Sequence, residues 1–307
     1  MERTRKTLQE LTISSAFMFG AVMVEPENCK EFLERALGIK IARVEVSKEK
    51  SIVYNPEYKG VRLDVYAEDE NNTHYNIEMQ ALSVTAIEKR ARYYHDQIDM
   101  ELLLSGLPYA ELPDTYVIFV CDFDPFGLKK YRYTMRKVCK EEPEFLMEDG
   151  AHTIFLSTKG NNDEEVPKEL VNFLKYVEAP LSESEKDFED AYVARLQKTV
   201  KDVKVSREMG ARYMTFQELL NDEREAGRKE GRAEGRAEGR AEGKAEGEKL
   251  GRVKTLLDIL LDLGTIPVEF DACLYEVDEE TLKKWIKIAV RAENLEEFLE
   301  KIKWEQA

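Results

Sequence analysis

A short polar turn between two alternating stretches is the feature that most constrains the fold of this chain. Residues 61–67 and 74–81 mix β-branched or aromatic side chains with polar ones, a pattern typical of half-buried strands. The segment between them, residues 68–73, contains only acidic, amide and threonine side chains. Two strands separated by so short a polar turn pair as an antiparallel hairpin. The sequence therefore predicts a β-hairpin at residues 61–81.

The register of this hairpin brings two carboxylates together. If the chain turns about Asn71, Asp64 lies opposite Glu78 and Arg62 lies opposite Gln80, with all four side chains on one face. The other face is apolar and carries Leu63, Val65, Ile77 and Met79. Opposed carboxylates on paired strands are ~5 Å apart and repel each other unless a cation or a proton intervenes. Mg²⁺ prefers oxygen ligands and would relieve this repulsion.

The chemistry of such a site would suit phosphodiester hydrolysis. A cation held by Asp64 and Glu78 would polarise a phosphate and lower the pKa of a bound water molecule. The Gln80 amide can orient that water or a phosphate oxygen, but it brings no positive charge. The pattern by itself favours a simpler interpretation, in which these are the solvated residues of a half-exposed hairpin. Both interpretations stay open at this point.

Hydrophobic periodicity places other elements around the hairpin. An amphipathic helix is predicted at 27–37, before a strand at 41–46, and a longer helix at 84–104 follows the hairpin. The apolar run at 116–121 is typical of a buried strand. Further strands are predicted at 131–138 and 153–157, with helices at 167–177, 183–203 and 206–226. The alternation predicts an α/β domain.

Composition limits the kinds of site that the chain can carry. The net charge of -16 argues against a surface that is basic all over, so any DNA contact must be local or metal-assisted. Four dispersed cysteines and three histidines offer little to a zinc site, and we expect reduced thiols. The apolar stretch at 11–24 resembles a secretory signal, but Glu10 and Gly20 weaken the likeness. We expect that stretch to belong to the fold, no membrane contact and a cytoplasmic protein.

A glycine repeat follows the predicted domain. Between residues 227 and 251 glycine recurs at every fourth position, with arginine, alanine and glutamate between. Each internal glycine costs an isolated helix ~1 kcal/mol relative to alanine, and like charges recur four residues apart. The segment is therefore either a homo-oligomer contact or a flexible linker. Two amphipathic helices, at 253–263 and 281–303, are predicted beyond it. The predicted domains are 1–180, 181–226, 227–251 and 252–307.

The hairpin and its surroundings resemble a known family. The resemblance extends over most of residues 11–251, and its segments are Gly60–Tyr66, Tyr75–Gln80, Arg90–Tyr94, Gly106–Tyr109, Tyr116–Gly127 and the glycine repeat. Together they resemble the recombination-promoting nucleases, a PD-(D/E)XK nuclease family that includes transposases. The resemblance implies a restriction-endonuclease-like core, a mixed sheet flanked by helices, with an α-helical C-terminal extension.

The resemblance also implies an activity and a set of site residues. It implies a DNA endonuclease that uses Mg²⁺ or Mn²⁺, with Asp64, Glu78 and the Met79 carbonyl as metal ligands and Gln80 in place of the usual lysine. One departure matters, because relatives often carry acidic residues where Ser15 and Ala16 stand here. The alternative is therefore a catalytically impaired protein of the same fold that binds nucleic acid or associates with itself.

Two further groups of residues are candidates for supporting roles. Arg90 and Arg92 would reach DNA phosphates from the helix after the hairpin, or would instead pair with surface acids such as Asp96. Asp122 and Asp124 close a buried strand, where carboxylates more often stabilise turns than bind metals. We expect the turn role for these two aspartates.

Overall fold

The computed structural model describes residues 6–52 and 61–304. Their strands are β1 (Val44–Ile52), β2 (Val61–Asp69), β3 (His74–Gln80), β4 (Thr115–Cys121), β5 (Arg132–Thr134) and β6 (Ala151–Ser157). Their helices are α1 (Ala16–Met23), α2 (Pro26–Leu37), α3 (Ile87–Leu102), α4 (Lys168–Glu178), α5 (Ala191–Val205), α6 (Arg207–Leu263), α7 (Val268–Leu274), α8 (Glu279–Ala289) and α9 (Leu295–Lys301).

The described strands form one mixed sheet in the order β1-β2-β3-β4-β6-β5. Strand β2 is antiparallel to both β1 and β3, whereas β3, β4 and β6 run parallel, and β5 is antiparallel to β6. Central strand β4 is apolar and buried from Val117 to Cys121, as expected of a strand that is covered on both faces. Ile118 and Val120 pack with α1, α2, α4 and α5, whereas Val117, Phe119 and Cys121 pack with α3. The predicted mixed sheet flanked by helices is confirmed.

The apolar stretch that resembles a secretory signal lies in the core. It forms α1, in which Met18, Phe19 and Val22 are fully buried. Helix α2 follows, with Pro26 in its first turn and Gly38, at φ 75°, as its left-handed C-cap. Both signals suit these positions, since proline tolerates a helix start and glycine tolerates positive φ.

Several predicted boundaries differ from the structure. Helix α3 begins at Ile87 rather than at residue 84, and α5 begins at Ala191 rather than at residue 183. The start of α5 is fixed by Asp190, whose side chain accepts the backbone N–H groups of Tyr192 and Val193. The strand predicted at 131–138 is only three residues long.

The chain divides after Glu218 into two compact units. The second unit has its own core, which includes Phe270, Trp285 and Phe298. Its predicted helix at 281–303 is two helices, α8 and α9, separated at the capping residue Asn294. The glycine repeat is helical and forms part of α6. The four predicted domain boundaries stay predictions. Within the described ranges, no helix combines the length and the apolar character needed to cross a membrane.

Candidate active site

The β2–β3 hairpin pairs in the predicted register up to one position. The pairs run from Glu68 and His74 at the turn to Val65 and Ile77. At the next position, side chains take over from the backbone ladder. The Asp64 N–H donates to Glu78 Oε1 at 3.2 Å, and the Met79 N–H donates to Asp64 Oδ2 at 3.1 Å. The two predicted carboxylates are therefore brought together, each bonded to the opposite strand.

Burial dominates the electrostatics of this pair. Glu78 is 1% exposed, and burial raises its pKa to about 8, with the neighbouring Asp64 charge adding to the rise. Burial also raises the pKa of Asp64, against the Met79 N–H and the charges of Arg90 and Arg62. Both shifts have the same physical cause, because an apolar environment disfavours a bare carboxylate. The site therefore favours whatever supplies positive charge or a proton.

Arg90 supplies such a charge. Its guanidinium donates to Glu78 Oε2 at 2.9 Å, to Gln80 Oε1 at 2.8 Å and to the Tyr94 hydroxyl at 2.7 Å. Tyr94 in turn donates to Glu78 Oε2 at 3.3 Å and stacks on Phe119 of the sheet. Arg90 and Tyr94 are four residues apart on α3, so they share one helix face. This face holds the guanidinium against the carboxylate pair.

Gln80 is tied into the same network. Its Oε1 accepts from Arg90, and its Nε2 donates to the Leu82 carbonyl at 2.9 Å. Arg90 therefore links the Gln80 amide to Glu78 through one hydrogen bond to each side chain. A positive charge is therefore present next to Gln80, the residue that by resemblance stands in place of the usual lysine.

The predicted side-chain faces are only partly observed. Val65, Ile77 and Met79 share one core, but Leu63 packs in the other core, with α3. Arg62 lies 5.4 Å from the Phe216 ring of α6, whereas Gln80 contacts α3. The expectation that Arg62 and Gln80 face each other is therefore wrong. The strands separate and twist beyond Val65, so simple alternation no longer places neighbours on one face.

Three other residues complete the description. Arg92 is exposed and makes no ion pair within the described parts of the chain. Tyr94 and Asn76 adjoin Glu78 and were not predicted to do so. The Asn76 amide is fully buried and partly opposes the rise in the pKa of Glu78. It makes no hydrogen bond of good geometry to any described residue. Sequence spacing could have indicated both residues. Asn76 is two residues before Glu78 on β3, and Tyr94 is four residues after Arg90 on α3.

Asp124 has the turn role that we predicted. It accepts the N–H groups of Phe126 and Lys129 and the hydroxyl of Tyr133. The Asp122 side chain accepts from Lys159 and Thr158, and its N–H donates to the Gln80 carbonyl at 3.0 Å. These aspartates need no metal to account for their positions.

The oxygen atoms of the hairpin fit a hard divalent cation. Among residues 6–52 and 61–304, no group of three acidic, histidine or cysteine side chains forms a metal site. Asp64 and Glu78 nonetheless face each other, and the Met79 N–H points at Asp64. In a strand the carbonyl of a residue points to the same side as its N–H, so Met79 offers a third oxygen there. Mg²⁺ is commonly bound by one or two carboxylates and retains several waters.

Comparison with known proteins identifies a family for this chain. A family model described as PD-(D/E)XK nuclease family transposase matches residues 17–229. No curated protein and no solved structure matches the chain. The family supports a role in hydrolysing nucleic acid or in transposition, and its nucleases generally use divalent metals. Because the match covers residues 17–229 of 307, more than half of the chain, this protein belongs to the PD-(D/E)XK nuclease family transposases.

Proposed function

We propose that the protein is a divalent-metal-dependent DNA endonuclease that hydrolyses phosphodiester bonds and acts in the cytoplasm. The observation that carries the proposal is the facing pair of carboxylates, half-buried Asp64 and buried Glu78, where the β2–β3 ladder stops. Such a pair is costly to the fold, because both groups are desolvated and repel each other. A function that recruits a cation accounts for that cost.

Each residue of the site has a proposed role. Asp64, Glu78 and the Met79 carbonyl would hold Mg²⁺ or Mn²⁺, which when bound supplies Lewis acidity and a more acidic water. Gln80 would orient the attacking water through its amide. Before that, its side chain must exchange one of its two present partners, Arg90 or the Leu82 carbonyl.

Arg90 has a proposed role different from a simple surface contact. Its guanidinium now donates to Glu78, one of the proposed metal ligands. Without that bond, Arg90 would reach a phosphate while its Nε still donates to the Tyr94 hydroxyl. The predicted phosphate contact of Arg90 is retained in this form. Arg92 is proposed as a second, exposed phosphate contact.

The same contact of Arg90 favours the alternative function. In a protein that binds nucleic acid without cutting it, Arg90 would remain the permanent partner of Glu78. Incubation of the purified chain with supercoiled plasmid in Mg²⁺, Mn²⁺, Ca²⁺ or EDTA separates the two functions. Nicking or linearisation in Mg²⁺ or Mn²⁺ but not in EDTA supports the endonuclease. Retarded but intact plasmid under every condition supports the binding protein and contradicts our proposal.

We further propose that the glycine repeat in α6 joins copies of the chain. A methyl group added at any repeat glycine would meet no neighbouring atom within 4 Å. Among the described side chains of the repeat, an ion pair forms only between Lys244 and Glu248. In the repeated Glu-Gly-Arg-Ala units glutamate and arginine lie two residues apart, a spacing at which side chains do not face each other on a helix. A second helix would supply partners for these charges, and a four-residue period favours a right-handed supercoil.

Truncation after Glu225 tests this association. The first compact unit ends at Glu218, so the truncated chain retains it. We expect a smaller particle in light scattering, and we expect the full chain to lose mass per particle as salt is raised, because exposed ion pairs are screened within ~8 Å at physiological ionic strength. A full chain that is monomeric at low salt and micromolar concentration contradicts the proposal.

A further inference from the structure

A cleft of about 560 Å³ opens beside Asp64 in the first compact unit. We call it the α1–α6 cleft. Its walls come from α1, β1, β2, α5 and the first turns of α6. Asp64 lines it together with Ala16 and Gly20 of α1, while Glu78 and Arg90 are not part of the lining. The cleft therefore reaches the carboxylate pair from the face of the sheet opposite α3.

Two cations line this cleft without a carboxylate partner in the described ranges. Lys198 on α5 is exposed and makes no ion pair there. Arg212 on α6 is half-buried, and its guanidinium donates to the Met209 sulfur at 4.0 Å. Arg195 differs, because it is bonded to Asn28 and to Glu31. Lys198 and Arg212 are therefore the cations that can bind an anion at little cost in broken contacts.

The α1–α6 cleft also carries an aromatic surface. The rings of Phe17 and Phe216 both line the cleft, with centroids 5.4 Å apart. Phe216 is half-buried, and the Arg62 guanidinium lies 5.4 Å from its ring. Rings and guanidinium planes of this kind are the surfaces on which unpaired bases stack. The cleft thus combines a stacking surface with separate phosphate contacts.

The size and charge of the cleft favour a short unpaired segment over a duplex. Pockets of ~300–1,000 Å³ hold ligands of drug size, the size of one or two nucleotides. A duplex carries a charge every ~1.7 Å along its axis and calls for an extended basic surface. Here Glu27, Asp202 and Glu208 also line the cleft, so its positive charge is local.

We infer that the α1–α6 cleft binds one or two unpaired nucleotides next to the bond that is cut, so the preferred substrate is single-stranded or locally unpaired DNA. Lys198 and Arg212 contact its phosphates, and Phe216 stacks on a base. The inference rests on the proposed function for the position of the cut, but the binding itself requires no cutting.

Binding of labelled oligonucleotides in EDTA tests the inference. The probes are a fluorescein-labelled oligodeoxythymidylate of about 12 nucleotides and a duplex of the same length, followed by anisotropy with the full chain. We expect tighter binding of the single strand. Lys198→Gln and Arg212→Gln should each weaken it about fivefold near 0.1 M salt and reduce the slope of log affinity against log salt by about 0.7. Phe216→Leu, which keeps an apolar side chain in the core, should weaken it about tenfold.

Matched controls lie on the same helices outside the cleft. Lys201→Gln on α5 and Arg207→Gln on α6 should leave binding and its salt slope unchanged. Tighter binding of the duplex, or equal effects of cleft and control variants, overturns the inference. Plasmid cutting that persists in that case leaves the endonuclease proposal standing. Selective single-strand binding without cutting by any metal supports the cleft and contradicts the endonuclease instead.

Discussion

The two ends of the β2–β3 hairpin use carboxylates in opposite ways. At the turn, Asp69 accepts the N–H groups of Asn71 and Thr73 and the hydroxyl of Tyr75, so its oxygens bind donors that the fold supplies. At the open end, Asp64 and Glu78 face each other where the ladder stops, and burial raises the pKa of both. At the turn, donors of the hairpin itself stabilise the Asp69 carboxylate. At the open end, Arg90 of α3 donates to Glu78, but the pKa of Glu78 is still raised, so a further cation would be stabilising there.

The largest expected effect comes from removing the charges of the open end. Asp64→Asn or Glu78→Gln should each lower plasmid cutting at least ~100-fold, because each variant removes the charge of one ligand of the proposed metal. The melting temperature of Asp64→Asn should stay the same or rise, since a repelling carboxylate becomes a neutral amide whose oxygen still accepts the Met79 N–H. That of Glu78→Gln should fall, because the oxygens of Glu78 accept from the Asp64 N–H, Arg90 and Tyr94, and one of them would become an amide nitrogen. Cutting rates and thermal melts of the same preparations check both parts.

Thermal stability and the purity of the preparation are the controls for these variants. If Asp64→Asn melts far below the wild type, loss of cutting reports unfolding rather than chemistry. If either variant cuts at the wild-type rate in a preparation free of contaminating nuclease, the carboxylate pair is not the active site.

The turn end should respond in the reverse manner. Asp69→Asn places an amide nitrogen against N–H and O–H donors, so we expect a loss of about 1–3 kcal/mol in the free energy of unfolding. Cutting per folded molecule should be unchanged, because Asp69 lies at the turn, away from the ladder's open end. Urea unfolding and cutting rates below the transition measure the two effects. A stable Asp69→Asn protein that no longer cuts would erase the distinction between the two ends.

A pH dependence next to the turn offers a smaller test. His95 is buried between the Thr115 and Thr153 hydroxyls, and burial lowers its pKa to about 4, helped by Lys137 and His152 and opposed by Asp149. Its folded pKa is below the ordinary value of about 6.5, so the folded state holds fewer protons than the unfolded state between these values. The contribution of neutral His95 to the free energy of unfolding is therefore fully present above pH 6.5 and is lost as the pH falls toward 4.

The measurement compares unfolding free energies of the wild type and His95→Gln between pH 4 and 7. We expect the wild type to lose on the order of 1–3 kcal/mol from this group over that interval. The variant should show a shallower slope, because glutamine has no proton to gain. Equal slopes in the two proteins would mean that His95 titrates normally in the folded state.

The sequence predicted what depends on short range and missed what depends on separate elements. The turn at 68–73 and the alternation on either side were enough to give the Asp64–Glu78 register. Arg62 could not be placed, because its contact with Phe216 joins residues more than 150 positions apart. Likewise, nothing local indicates that Arg90 turns inward to Glu78 instead of outward to solvent. Helix formation through the glycine repeat also ran against residue propensities.

The smallest expected effect concerns Gln80, which ends β3 two residues after Glu78. Gln80→Lys would add a cation beside the carboxylate pair, where Arg90 now donates to the glutamine oxygen at 2.8 Å. The new ammonium would repel Arg90 but would be attracted by Asp64 and Glu78, and it would offer a charge-assisted donor to the phosphate. We expect cutting to persist or to rise a few-fold, and Gln80→Ala to lower it.

The Gln80 variants also separate charge from geometry. Cutting rates over a range of Mg²⁺ concentrations should show that Gln80→Lys needs no more metal than the wild type, because the proposed ligands Asp64, Glu78 and the Met79 carbonyl are unchanged. A matched variant, Arg90→Gln with Gln80→Lys, tests whether the lysine replaces the arginine charge. Rescue by that pair relative to Arg90→Gln alone supports a shared electrostatic role. If Gln80→Lys and Gln80→Ala both abolish cutting, the glutamine amide acts through its geometry, and positive charge at this position is not what the site requires.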